Sequence, residues 1–141
     1  MADLKIIAHY FLAEAFNTGN LGPADDYLAP NFRNHDPGTP PLPTGPAGFK
    51  QLISGYRAAF PDIHMRVDDL LVQGDKAVGR WTANGTNTGS LNGMPPTHKP
   101  ATVAGISLLT FAGGQLVSAH TNWDTLGLLE QLGVIPAPEQ G

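Results

Sequence analysis

Near the end of the chain, His120-Thr121-Asn122-Trp123-Asp124 places three proton-handling or hydrogen-bonding side chains at every second position. Successive side chains of a strand point to opposite faces. A strand over 115–124 therefore aims His120, Asn122 and Asp124 the same way, with Ser118 behind them. The plain reading is a solvent-facing stripe. The chemical reading is a row lining a pocket, where a carboxyl moves protons and an imidazole and an amide hold substrate oxygens. Steps of two residues are roughly 7 Å apart on a strand. The three thus suit different parts of one extended substrate better than a tight triad.

A carboxyl acid/base must come within about 3 Å of the atoms it serves. Apolar surroundings disfavour the charged form of a carboxyl and make it a better proton donor at neutral pH. Candidate walls are Ile106 and Leu108 on one segment, Leu70 and Val72 on another, and Phe11 and Phe49 from helices. His35, in Asn34-His35-Asp36-Pro37, ends a short strand-like piece and joins the pocket candidates, whereas Asp36 reads as a turn former. Asp124 also precedes a helical pattern, where aspartate is a favoured N-cap, so capping and catalysis are both open to it. His9, His64 and His98 read as solvated. No two histidines stand at i and i+4 or as His-X-His, so no metal is expected. The serines lack a nucleophile-elbow context, and the glycines at 85, 89 and 93 do not open a strand–loop–helix unit.

These groups need a scaffold, and the periodicity supplies one. Leu4, Ile7, Phe11 and Ala15 recur at helical spacing, predicting a helix over 3–17 capped by Asp3. A short helix is expected over 22–29, with Pro23 in its first turn and Pro30 as its stop. A strand-like piece over 31–37 runs into a proline-rich loop, and a third helix follows from Thr44 to about Phe60. From Ile63 the pattern is β. Strands are predicted over 63–73, 76–88, 101–111 and 115–124, with turns at Gly74-Asp75 and Gly113-Gly114 and a long connection over 89–100. A helix over 125–132 closes the order. Helices segregated from an antiparallel meander give an α+β fold. A curved sheet wrapped on helices forms a cone whose open end suits a ligand.

The bulk numbers agree. A chain of 141 residues reads as one domain, 1–141. A net charge of -4 and the lack of a basic stripe argue against a nucleic-acid partner. The chain has no cysteine, which excludes disulfides, thiolate metal sites and cysteine nucleophiles. No apolar run approaches the roughly 20 residues a membrane span needs, and no basic-then-apolar leader opens the chain. A cytoplasmic protein is expected.

The series Phe60-Pro61-Asp62-Ile63, Gly74-Asp75, Gly85-Thr86-Asn87-Thr88-Gly89, Gly93-Met94-Pro95-Pro96-Thr97, Gly113-Gly114-Gln115-Leu116-Val117, and Trp123-Asp124 with Gly127 to Gly133 resembles the SnoaL-like polyketide cyclases of the nuclear transport factor two-like superfamily. The resemblance implies a cofactor-free enzyme that closes a ring in a hydrophobic, polyketide-type carbonyl compound by intramolecular aldol addition. It implies an aspartate acid/base on the last long strand, a place Asp124 holds, with His35, His120 and Asn122 as the polar pocket groups. Asn87 and His98 stand where many relatives carry histidine and glycine, which bears on substrate choice. The resemblance also implies a homodimer or homotetramer through the outer sheet face, expected to carry Trp123, Thr121 and Val117. Two other readings stand beside aldol closure: epoxide hydrolysis, isomerisation or hydroxylation on the same fold, and a non-catalytic module that binds a small apolar ligand.

Overall fold

The computed structural model describes residues 3–136. The first helical segment comprises α1 (Leu4–His9), a π-helical stretch (Tyr10–Glu14) and α2 (Ala15–Thr18). The Asp3 carboxylate caps α1 by accepting from the Lys5 N–H, 3.0 Å away. Such π-helical turns are uncommon and often mark functional sites. Here the turn buries Tyr10, Phe11, Leu12 and Ala13 in succession. A regular one-sided helix would bury only every third or fourth residue.

The second helix is shorter than its sequence suggests. α3 spans Ala24–Tyr27 alone, and Leu28 opens β1 (Leu28–His35). Leu28 and Ala29 are buried, so tertiary packing draws them into the sheet. Pro30 thus lies within a strand instead of ending a helix. It is tolerated because β1 pairs with one neighbour only and forms an edge. α4 (Pro46–Ala59) has proline in its first turn and buries Phe49, Leu52 and Ile53.

The remaining strands are β2 (His64–Gln73), β3 (Lys76–Thr86), β4 (Pro100–Ala112) and β5 (Gln115–Trp123), followed by α5 (Thr125–Gln131). Gly113 and Gly114, with φ of +59° and +78°, form the tight turn between β4 and β5. Two positive φ values match the right-handed twist of a hairpin and cost glycine little. The sheet order is β1-β5-β4-β3-β2. Its consecutive pairs from β2 to β5 are antiparallel, and β1 adds to β5 in parallel. The architecture is α+β, and one face of the sheet carries the helices and the main core.

Two irregularities decide which residues that face presents. In β5, Leu116 pairs with Phe111 and Ser118 with Thr110, leaving Val117 as an extra residue. Such a bulge exchanges the faces of all later side chains. Leu116 is fully buried in the core, and so is Ala119, three positions on. From there Ala119, Thr121 and Trp123 face the helices, while His120, Asn122 and Asp124 do not. β2 behaves alike. Asp68 is the extra residue between Val67, opposite Trp81, and Asp69, opposite Arg80. This is why Met65 and Val67, then Leu70 and Val72, all pack inward.

Candidate active site

Between the inner sheet face and the helices lies an apolar cavity with about 790 Å³ of free space, counted to its open mouth. Phe11, Leu12 and Phe16 line it from the first helical segment, and Leu52 and Tyr56 from α4. The strands contribute Trp81, Val103, Ser107, Thr121 and Trp123. Gly105 lies against the Trp81 indole and the Trp123 Cβ, where an added Cβ would run into both. Its missing side chain lets the two tryptophans pack there.

Among the described residues, Asp36 is the one carboxylate that lines the cavity. It sits just after β1 in the turn that leads to the proline-rich loop. Its Oδ1 accepts from the Gly38 N–H at 2.8 Å, and its Oδ2 accepts from the Thr39 hydroxyl at 2.8 Å. The Trp123 Nε1–H reaches both oxygens, at 3.1 and 3.2 Å. A carboxylate offers about four lone-pair sites, so three donors orient the group and leave it room for one more partner. Tyr56 stands beside this cluster, its hydroxyl 3.4 Å from that of Thr39. Burial, opposed by the Thr39 hydrogen bond and reinforced by the Asp36 charge, raises the phenol above its ordinary pKa. Tyr56 therefore remains a neutral hydrogen-bond donor at physiological pH.

Two other polar features line the cavity. Asn34 Oδ1 is buried without a hydrogen-bond partner among the described residues. A buried amide oxygen left unpaired is costly, and a ligand donor is the partner its position suits. Further along the same sheet, the Trp81 Nε1–H donates to Ser107 Oγ at 3.2 Å, and Ser107 Oγ and Thr121 Oγ1 lie 2.8 Å apart.

The residues singled out from sequence divide between the faces. Phe11 lines the cavity, and Phe49 stacks behind it with ring centroids 4.9 Å apart. Ile106 and Leu108, expected as walls, lie on the opposite face of β4, 49% and 38% exposed. They pair with Asn122 and His120 of β5, so the four share that outer surface. His120 and Asn122 are exposed there. His35, also exposed, is brought to His120 by the parallel pairing of β1 and β5, and the two rings stack at 4.3 Å. Asp124 is exposed, and its Oδ1 accepts from the Gly127 N–H at 2.8 Å, capping α5. Gly127 packs so closely on that carboxylate that a Cβ would collide with it. Trp123 and Thr121, expected on the outer face, are inside. Each displacement follows from the bulge at Val117 or from the odd-numbered inward phase of β4.

Sequence reasoning treated Asp36 as a turn former, which it is, and overlooked that the same carboxylate faces the lumen. Its alternation with His35 was the available signal: two adjacent residues at a strand end must serve opposite faces. Tyr56, Asn34 and the Ser107–Thr121 pair carried no local signal, since each acquires its setting from a distant segment. Asn87, expected to bear on substrate choice, is 1% exposed and structural. Its amide donates to the Ala59 and Gly89 carbonyls and accepts from the Thr97 N–H and hydroxyl, fastening the long connection between β3 and β4.

The sequence model of the SnoaL-like polyketide cyclases matches residues 6–132. The chain is 30% identical over 125 residues to nogalonic acid methyl ester cyclase from Streptomyces nogalater, covering 86% of this chain and 92% of that protein. It is also 30% identical to aklanonic acid methyl ester cyclase from Streptomyces galilaeus, covering 96% and 94% of the two. Among solved structures, TsrD from Streptomyces laurentii superposes with a TM-score of 0.83 at 30% identity, over 94% of this chain and 96% of that one.

Proposed function

This chain belongs to the SnoaL-like polyketide cyclases, and on that premise we propose that it closes a ring in a hydrophobic polyketide-type carbonyl compound by intramolecular aldol addition, with Asp36 as acid/base. The observation that carries this reading is the cavity itself: it is mostly apolar and, among the described residues, has one carboxylate on its wall, held in place by Gly38, Thr39 and Trp123. The carboxylate takes a proton from a carbon next to a carbonyl. The resulting enolate carbon attacks a second carbonyl of the same molecule, forming the C–C bond. The new alkoxide then takes the proton back from Asp36. Substrate and product have the same composition, so no cofactor enters the balance. Donors near the developing charge lower the barrier, and the neutral Tyr56 phenol can serve as one by turning its proton from the long, 3.4 Å contact with Thr39 to the substrate oxygen. Asn34 suits a hydroxyl on the substrate.

Asp124, the acid/base that the family resemblance implies, is the natural control because it caps α5 outside the lumen. Aklanonic acid methyl ester and nogalonic acid methyl ester, the compounds in the relatives' names, are first substrates to assay by chromatography for a product of unchanged mass. Asp36→Asn should lower turnover by about 10²–10⁴-fold, the usual contribution of a positioned acid/base, with substrate binding retained. Asp124→Asn should turn over at nearly the wild-type rate. Full activity in Asp36→Asn, or its loss in Asp124→Asn with the fold intact, overturns the assignment.

A further inference from the structure

We propose that Ser107 and Thr121 form a one-way hydroxyl relay that presents a single hydrogen-bond donor, the Thr121 hydroxyl, to a carbonyl or enolate oxygen in the cavity. This deepens the reading above and rests on its premise that the cavity receives a carbonyl compound.

Counting protons carries the inference. Trp81 Nε1–H is a donor only, and a serine or threonine hydroxyl has one proton to give and lone pairs to accept with. The trio holds three donor protons. Trp81 spends one on Ser107, and the contact between the two hydroxyls spends one more, whichever of them gives it. One hydroxyl proton remains, and neither side chain has another hydrogen-bond partner among the described residues. Ser107 is 1% exposed and Thr121 8%, and both line the cavity. Because the Trp81 N–H can only donate, and a hydroxyl that accepts is the better donor onward, the favoured polarity runs Trp81 to Ser107 to Thr121, and the unspent proton is left on Thr121, the less buried of the two hydroxyl residues. A buried donor without an acceptor is costly, and the lumen is where an acceptor can arrive. Aligned donors of this kind also strengthen one another in an apolar setting.

The strand phase built this site. Ser107 and Thr121 are directly opposed across β4 and β5, and the bulge at Val117 turns Thr121 inward. Without it, Asn122 would occupy the inner face and the relay would have no outlet.

The probe is 6-propionyl-2-(dimethylamino)naphthalene, an apolar aromatic ketone whose carbonyl stretch moves to lower wavenumber when it accepts a hydrogen bond. Bound to the wild-type protein, the ¹³C-labelled ketone should show the lowered stretch. Thr121→Val keeps the shape and leaves the spare proton on Ser107, the more buried residue, whose Oγ lies 2.8 Å from the Thr121 Oγ1 position. It should abolish the shift and weaken binding by about 2- to 12-fold, the worth of one hydrogen bond. Thr121→Ser should restore both, which a purely structural role for the methyl group would not allow. An unshifted stretch in the wild type, or a shift that persists in Thr121→Val, overturns the proposal. The measurement needs no turnover. A Thr121-dependent shift in a protein whose Asp36→Asn variant retains full cyclase activity would therefore sink the acid/base reading and leave the relay standing. The converse pair of results would do the opposite.

Discussion

The two faces of β5 share a backbone and differ in nearly everything else. The outer face carries His120, Asn122 and, at the strand's end, Asp124, the most chemically suggestive side chains of the segment, and all three are exposed. The inner face carries Ala119, Thr121 and Trp123, which read as ordinary strand residues. Yet Thr121 touches the Ser107 hydroxyl and Trp123 holds the cavity's carboxylate. A polar group on a solvated surface is screened and hydrated, so its identity matters little to its surroundings. The same kind of group in an apolar cavity has few partners, and each one has consequences. Chemical interest in a sequence is thus no guide to chemical effect until the facing is known.

The contrast between the faces can be broken most drastically by deleting Val117. The deletion removes the bulge, so the strand must either drive His120 and Asn122 toward the helices or slip its pairing. We expect loss of cooperative thermal unfolding and of the near-ultraviolet signal from Trp81 and Trp123; a native-like melt would show that the bulge does not set the phase. Next in size is the loss of turnover in Asp36→Asn, followed by the loss of the carbonyl shift in Thr121→Val. Outer-face changes should be smaller. Asp124→Ala removes the α5 cap and should cost about 1 kcal/mol in denaturant unfolding, while His120→Ala and Asn122→Ala should stay within about 0.5 kcal/mol. A larger penalty or a lost activity from either of the last two would give the outer face a role that its exposure does not suggest.

The smallest effect concerns the other bulge. Asp68 accepts from the Thr82 hydroxyl and from Arg66, which lowers its pKa, and the Thr86 N–H does the same for Asp62. A carboxyl whose pKa is lower in the folded state adds stability above its unfolded value, about 3.9. That stability fades as pH falls from there through the lowered folded value. Urea midpoints between about pH 6 and pH 2 should decline along this acid limb, and Asp68→Asn should flatten the decline. An unchanged slope would mean that the Asp68 contacts are not held in solution.

Much of the fold was legible because it rests on local rules. The glycine pair at 113–114 announces a hairpin and Pro46 announces a helix start. The second helix misled because Leu28 and Ala29 are helix-compatible residues that gain more from burial in the sheet, a choice made by partners distant in the chain. The site was less legible. Asp36 was seen as a turn residue, while its meeting with Trp123 spans 87 positions.

By itself the sequence determined the order of elements, the spans of the long strands, the α+β class and, through its motif series, the family. Alternation also determined that His120, Asn122 and Asp124 share one face and that Thr121 and Trp123 share the other. Which face looks into the cavity was decided only by tertiary structure. The period of a strand is a local property of its pleat, but its phase depends on pairing with a neighbour, and one unpaired residue, Val117, reverses it.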